Sequence, residues 1–112
     1  MRRDLLLLDE MIEAAERVQA LCDGVTADDL ETDRLRRDAV LWNFTVLGEA
    51  AGQLSEDLRS DHAEVAWRRP IELRHRIVHG YWSIDTAILV STAQHDLARF
   101  VDDLRAVRAA IA

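Results

Sequence analysis

The chain has 112 residues, 49% of them hydrophobic and 31% charged, and a formal net charge of −7. That length suits one domain with a core of its own, and the composition excludes a disordered segment and a basic nucleic-acid coat protein. All fourteen cations are arginines, the single cysteine has no partner for an internal disulfide, and there is one proline. A cytoplasmic compartment and helix rather than strand are therefore expected.

Residues 4–22 place Leu5, Leu8, Ile12, Ala15, Val18 and Cys22 at steps of three and four, the pattern of an amphipathic helix. The four leucines before Asp9 and Glu10 make too short and too acidic a run for a signal peptide or a membrane span. Asp23-Gly24 stops this helix, with glycine free to adopt the left-handed cap conformation. Cys22 at its end is expected as a small buried apolar residue. Thr26 followed by Asp29 has the form of a capping box and predicts one short helical turn.

A second long helix is expected from Asp33 to about Arg59, with Leu35, Ala39, Trp42, Val46, Ala50, Leu54 and Leu58 on its core stripe. Gly48 and Gly52 lie inside it, each costing about 1 kcal/mol relative to alanine. A close helix contact, within the chain or with another chain, would offset that loss. Residues 60–69 read as loop. Pro70 suits the first turn of a short helix ending at about Val78 or His79, before Gly80. A strand competes here because IVHGYW is rich in β-formers, but the apolar positions 71, 73, 77 and 78 do not alternate. Ser83-Ile84-Asp85 supplies the cap of a last helix from about Thr86 to Ile111, with Leu97, Phe100, Leu104, Val107 and Ile111 as its stripe. The sum is an all-α, single-domain antiparallel helical bundle over residues 1–112, with three long helices and one short one.

Charge is segregated along this chain. Residues 67–82, WRRPIELRHRIVHGYW, hold four arginines and one glutamate, while the remainder holds ten arginines and twenty acids. A positive patch on an acidic body can capture a phosphodiester while the body repels nucleic acid elsewhere. Arg68, Arg69 and Arg76 are the candidates for guiding RNA, since phosphate contacts need only a positive position. Arg68 and Arg69 read equally as solvated loop charges.

His75 and His79 are four apart and share a helix face. Arg74 and His79 are five apart, about 140° around an ideal helix. They converge on one ligand only if the helix loosens at Gly80 or if a second copy of the segment faces the first. Three readings fit the histidines. A metal pair would need a third donor, and no Cys, His or acid stands at a persuasive spacing, so no metal or other cofactor is assigned. Protonated histidines could instead cap the helix C-terminus. Or an imidazole could move protons to and from a ribose 2′-hydroxyl while the guanidinium stabilises the phosphorane charge. That chemistry needs no metal.

RHRIVHGYW resembles the Arg-x4-His motif of HEPN-domain ribonucleases, and in particular the Arg-Asn-x3-His-x-Tyr signature of HepT-type toxins. AVLWNFTVLGEAAGQLSEDLR is similar to that family's helix with a Gly-Glu-Ala stretch. Trp67 fits its Trp-containing lead-in, and Tyr81-Trp82-Ser83-Ile84-Asp85 its exit into the last helix. The resemblance covers nearly the whole chain. It implies a helical bundle and a metal-independent endoribonuclease with Arg74 and His79 as the catalytic pair. His75, where the family usually has asparagine, would assist. It implies a homodimer whose two motifs meet in one composite site. It also implies an MntA-type nucleotidyltransferase antitoxin that attaches AMP to Tyr81. A non-catalytic module that binds a nucleotidyltransferase or a nucleotide is the alternative.

Overall fold

The structure, a computed structural model, describes residues 2–112. Among them there is no strand. Helix α1 (Arg2–Cys22) is followed by a short α2 (Ala27–Thr32), the long α3 (Arg34–Gln53), a short α4 (Glu56–Asp61) and α5 (Arg68–Gly80). A 3₁₀ turn (Tyr81–Ser83) leads into α6 (Thr86–Ser91), which passes through a π-helical segment (Thr92–Asp96) into α7 (Leu97–Ile111). No described helix is long and apolar enough to cross a membrane.

Local chemistry explains most boundaries. Gly24 has φ +68° and ends α1 as expected. Thr26 and Asp29 form a reciprocal capping box at α2. Asp33 accepts from the Arg36 backbone N–H, and Asp85 from that of Ala87, starting α3 and α6. The second long helix, however, does not run to Arg59. It ends at Gln53, because Ser55 caps a new helix by accepting from the Leu58 N–H. Glu56 and Asp57 in the first turn of α4 complement that helix's dipole. The loop expected over residues 60–69 shrinks to 62–67, and α5 starts two residues before Pro70. Pro70 still lies in the first turn, where its missing N–H is no loss.

The four long elements pack antiparallel in the order α5, α3, α1 and α6–α7. Cross-links fix the registers. Asp4, buried at the start of α1, accepts from the Ser55 N–H (3.0 Å) and hydroxyl (2.7 Å) at the far end of α3. Asp9 and Glu16 pair with Arg108 and Arg105 on α7. Gln94, in the π-helical segment, donates to the Cys22 and Val25 carbonyls at 2.9 and 2.8 Å, tying the last helix to the chain that leaves α1. Leu8, Met11, Leu41, Phe44, Leu47, Leu89 and Leu104 form the centre of the core. Cys22 is buried with them, and that burial raises its thiol pKa.

The core stripe of α3 matches the one read above at Ala50 and Leu54, which are buried, and departs from it earlier in the helix. Val40, Leu41, Phe44, Leu47, Gly48 and Ala51 face inward, while Leu35 is 85% exposed and Trp42 66%. α3 is apolar on more than one side, so periodicity alone could not choose the inner face. Gly48 lies at a close approach of α3 and α5. A Cβ on it would stand 2.4 Å from both the Arg74 Cβ and the Pro70 carbonyl oxygen. At Gly52 a Cβ would meet nothing within 4 Å.

The two glycines should therefore respond oppositely to alanine. Gly48→Ala forces backbone and Cβ atoms apart and is expected to lose about 1–3 kcal/mol of unfolding free energy. Gly52→Ala should gain from a few tenths to about 1 kcal/mol through helix propensity. Urea denaturation of the two variants measures both.

Candidate functional site

Helix α5 divides the expected site residues among three surfaces. Arg74 faces α3. Its stem lies on Gly48, and its Nε stands 2.9 Å from a Glu49 carboxylate oxygen. The Nε–H is not aligned for a hydrogen bond, so the contact is an ion pair. Arg74 opens on a recess of about 250 Å³ between α1 and α3, with Leu7, Glu10, Trp42 and Glu49 in its wall. His75 and His79 lie on an exposed face, their rings nearly parallel with centres 5.8 Å apart. Arg69 and Arg76 line a third surface, a cleft of about 500 Å³ between α5 and the α6–α7 helix. Phe44 and Leu47 line it too, along with Arg99. Arg69 also reaches Asp96 of the π-helical segment at 3.7 Å. Arg68 is exposed.

The one-turn spacing of the histidines does bring their rings together. Among the described residues, no hydrogen bond joins Arg74 to either histidine. α5 stays helical through His79, and the backbone turns only at Gly80. The separation of about 140° therefore stands within one chain. Nor do three or more His, Cys, Asp or Glu side chains gather into a metal-sized group among the described residues.

Tyr81 is half-buried against α3. Its hydroxyl donates to Asp38, and its ring lies 5.6 Å from the Arg37 guanidinium. The Asp38 hydrogen bond, then burial, then the Asp38 charge raise the phenol pKa above its ordinary value. Trp82 is 77% exposed, with the Arg34 guanidinium 5.4 Å from its ring centre. Trp67 is a core residue whose indole N–H donates to the His62 carbonyl. Sequence reasoning gave no role to Glu49, Asp38, Arg34 or Arg37. The stretch Arg34-x-x-Arg37-Asp38 carries no motif, and it meets Tyr81 only through an antiparallel pairing more than forty residues away.

Comparison with known proteins bears on this arrangement. The family model described as "Ribonuclease HepT-like" matches residues 11–108. The chain belongs to the HepT-like ribonuclease family. That family is one of ribonucleases, so the chain is classed as an RNA-cleaving enzyme. A Thermococcus cleftensis protein named "Probable ribonuclease HepT" is 26% identical over 90 residues, which span 80% of this chain and 82% of that one. A candidate RNase of Methanocaldococcus jannaschii is 23% identical over 107 residues, covering 95% of this chain and 98% of its own length. A second protein of that organism joins a gamma-glutamylcyclotransferase to a candidate RNase. It is 23% identical over 105 residues, 93% of this chain but 47% of that longer protein. No solved structure matches the chain significantly.

In this HepT-like chain, the Glu49 carboxylate paired with Arg74 opposes any other anion at that guanidinium. Glu49→Gln keeps the side chain's shape and removes the opposing charge. Single-stranded RNA should bind it about two- to five-fold more tightly at low salt, with the difference fading at high salt. Fluorescence anisotropy of a labelled oligoribonucleotide reads both.

Proposed function

We propose that the chain is a cytoplasmic, metal-independent endoribonuclease toxin that works as a homodimer, with one cleavage site built from two copies of Arg74-x4-His79. What carries the reading is the Arg-x4-His spacing in a basic stretch of an acidic member of a ribonuclease family. His79 takes the proton of the ribose 2′-hydroxyl as its oxygen attacks the phosphorus. Arg74 stabilises the charge on the phosphorane, and an imidazole returns a proton to the departing 5′-oxygen. The products are a cyclic phosphate and a 5′-hydroxyl. His75, stacked on His79, assists by holding the ring or by sharing the proton transfers. A phosphate can displace Glu49 from Arg74 because that pair is partly exposed and lacks an aligned hydrogen bond.

Dimerisation is supported by the apolar side chains left uncovered beside the motif. Trp42 and Val78, 66% and 51% exposed, flank a groove between α3 and α5 that also contains Tyr81. Pairing two chains across this face would bring Arg74 of one towards His79 of the other and resolve their angular separation. An MntA-type nucleotidyltransferase would neutralise the toxin by adding AMP to Tyr81. The Arg74–Glu49 pairing favours one other reading, a non-catalytic module that binds the nucleotidyltransferase partner.

Purified protein should cleave single-stranded RNA in EDTA, and Arg74→Ala or His79→Ala should each slow cleavage by roughly 100-fold or more. Equal rates for wild type and both variants would remove the assignment. No cleavage by the wild type, with copurification of a coexpressed nucleotidyltransferase, would establish the binding module instead.

The two-chain site makes a separate demand. Trp42→Glu should convert a dimer to a folded monomer in size-exclusion chromatography with light scattering, and cleavage should be lost with it. A monomeric variant that cleaves at the wild-type rate sinks the composite site.

A further inference from the structure

The turn that leaves α5 is tied to a single stretch of α3. Tyr81 donates its phenol hydrogen to Asp38. Arg37, buried one residue earlier, donates to the Tyr81 carbonyl at 3.4 Å, lies over the Tyr81 ring and keeps its Nε without a partner. Arg34 stands 3.7 Å from Asp38 and over Trp82, and Trp82 meets Tyr81 edge-on at 5.2 Å. From its own side the turn has one exposed side-chain hydrogen bond, which the Ser83 hydroxyl donates to the Gly80 carbonyl at 3.2 Å. Gly80 bends out of α5 with φ −141°, and no side-chain cap closes the 3₁₀ turn. His79 precedes that bend by one residue, so the position of its ring depends on how the following turn is anchored.

We propose that Asp38 is a positioning residue of the ribonuclease site: through Tyr81 it latches the turn after the motif onto α3 and so seats His79, and esterification of Tyr81 opens the latch. The proposal rests on the reading of Arg74 and His79 as the cleaving pair. Transfer of a nucleoside monophosphate from a nucleoside triphosphate forms a bond from the phenol oxygen to the α-phosphorus and breaks the bond to the β-phosphate oxygen. Pyrophosphate leaves, and the phenol proton passes to Asp38 and then to solvent. The ester oxygen can no longer donate, and the new phosphodiester anion is repelled by Asp38. Arg34 and the unpartnered Nε of Arg37 are the cations placed to receive it. Modification thus unseats His79 from within, besides placing bulk beside the site.

Tyr81 is the only tyrosine in the chain, so ultraviolet titration of phenolate reports it alone. Asp38→Ala should lower its pKa toward the ordinary value, with circular dichroism showing an intact helical fold. In RNA cleavage, Asp38→Ala and Tyr81→Phe should each lower kcat by roughly five- to ten-fold with KM nearly unchanged, the loss expected when one ordinary net hydrogen-bond contribution is removed. The double variant should lose no more than either single one, and Asp38→Asn, which can still accept the phenol hydrogen, should regain most of the rate. An unchanged titration overturns the latch. A shifted titration with wild-type kcat overturns the positioning role. Absence of cleavage by the wild type overturns the ribonuclease reading itself, while the titration still decides the latch.

Discussion

The contact between α3 and α5 at Gly48 constrains everything that follows in the chain. With no side chain at that position, the Pro70 carbonyl and the Arg74 Cβ settle directly onto the α3 backbone. The approach fixes the rotation of α5 about its axis. Leu73 and Ile77 are thereby buried, Arg74 is held along α3, and His75 and His79 face solvent. It also sets the register that brings Tyr81 to Asp38, three helical turns away along α3. A glycine in mid-helix lowers intrinsic helix stability, but here it permits the packing that positions the basic segment. Gly52, one turn on, has open space in front of it within the chain, so the same residue type has no such role there.

The legible parts of the fold were those set by local chemistry. Gly24, the Thr26–Asp29 box and Asp85 act on backbone groups within three residues of themselves, so a short window contains the whole interaction. The misread parts depend on partners far away. Ser55 competes with continuation of α3, and part of what decides the outcome is its bonds to Asp4, fifty-one positions earlier. The inner face of α3 is chosen by α1 and α5 together, and a helix apolar on several sides does not announce that choice. The π-helical segment in the last helix has no pattern of its own. It is accompanied by Gln94 reaching the end of α1, a contact that exists only once the bundle forms.

The candidate site divides in the same way. Basic residues concentrated in one segment, and histidines one turn apart, are properties of neighbouring positions and could be read directly. The pairing of Tyr81 with Asp38 joins the exit of α5 to α3 across 43 positions, and could not. Trp82 shows the consequence. It ends the basic segment of residues 67–82, and folding brings a further cation, Arg34, over its ring from a separate stretch of the chain. Cation and indole come from opposite ends of an antiparallel pair, so charge counted along the chain understates the charge gathered around the motif's exit.

Two different kinds of restraint act at the two ends of the proposed catalytic pair. Arg74 is held at its base by packing, which is insensitive to charge, while its head is balanced against Glu49 and is free to exchange that partner for a phosphate. His79 stands at the last regular turn before a glycine, where packing is thin, and the restraint passes instead through Tyr81 to a carboxylate. A steric contact can be changed only by substitution, whereas a hydrogen bond through a phenol is removed whenever the oxygen is esterified. If cleavage needs both groups in place, the arrangement puts the robust restraint on the phosphate-binding residue and the chemically erasable one on the proton-transfer residue. Modification at Tyr81 can then act on the chemistry while leaving the fold and the arginine's footing intact.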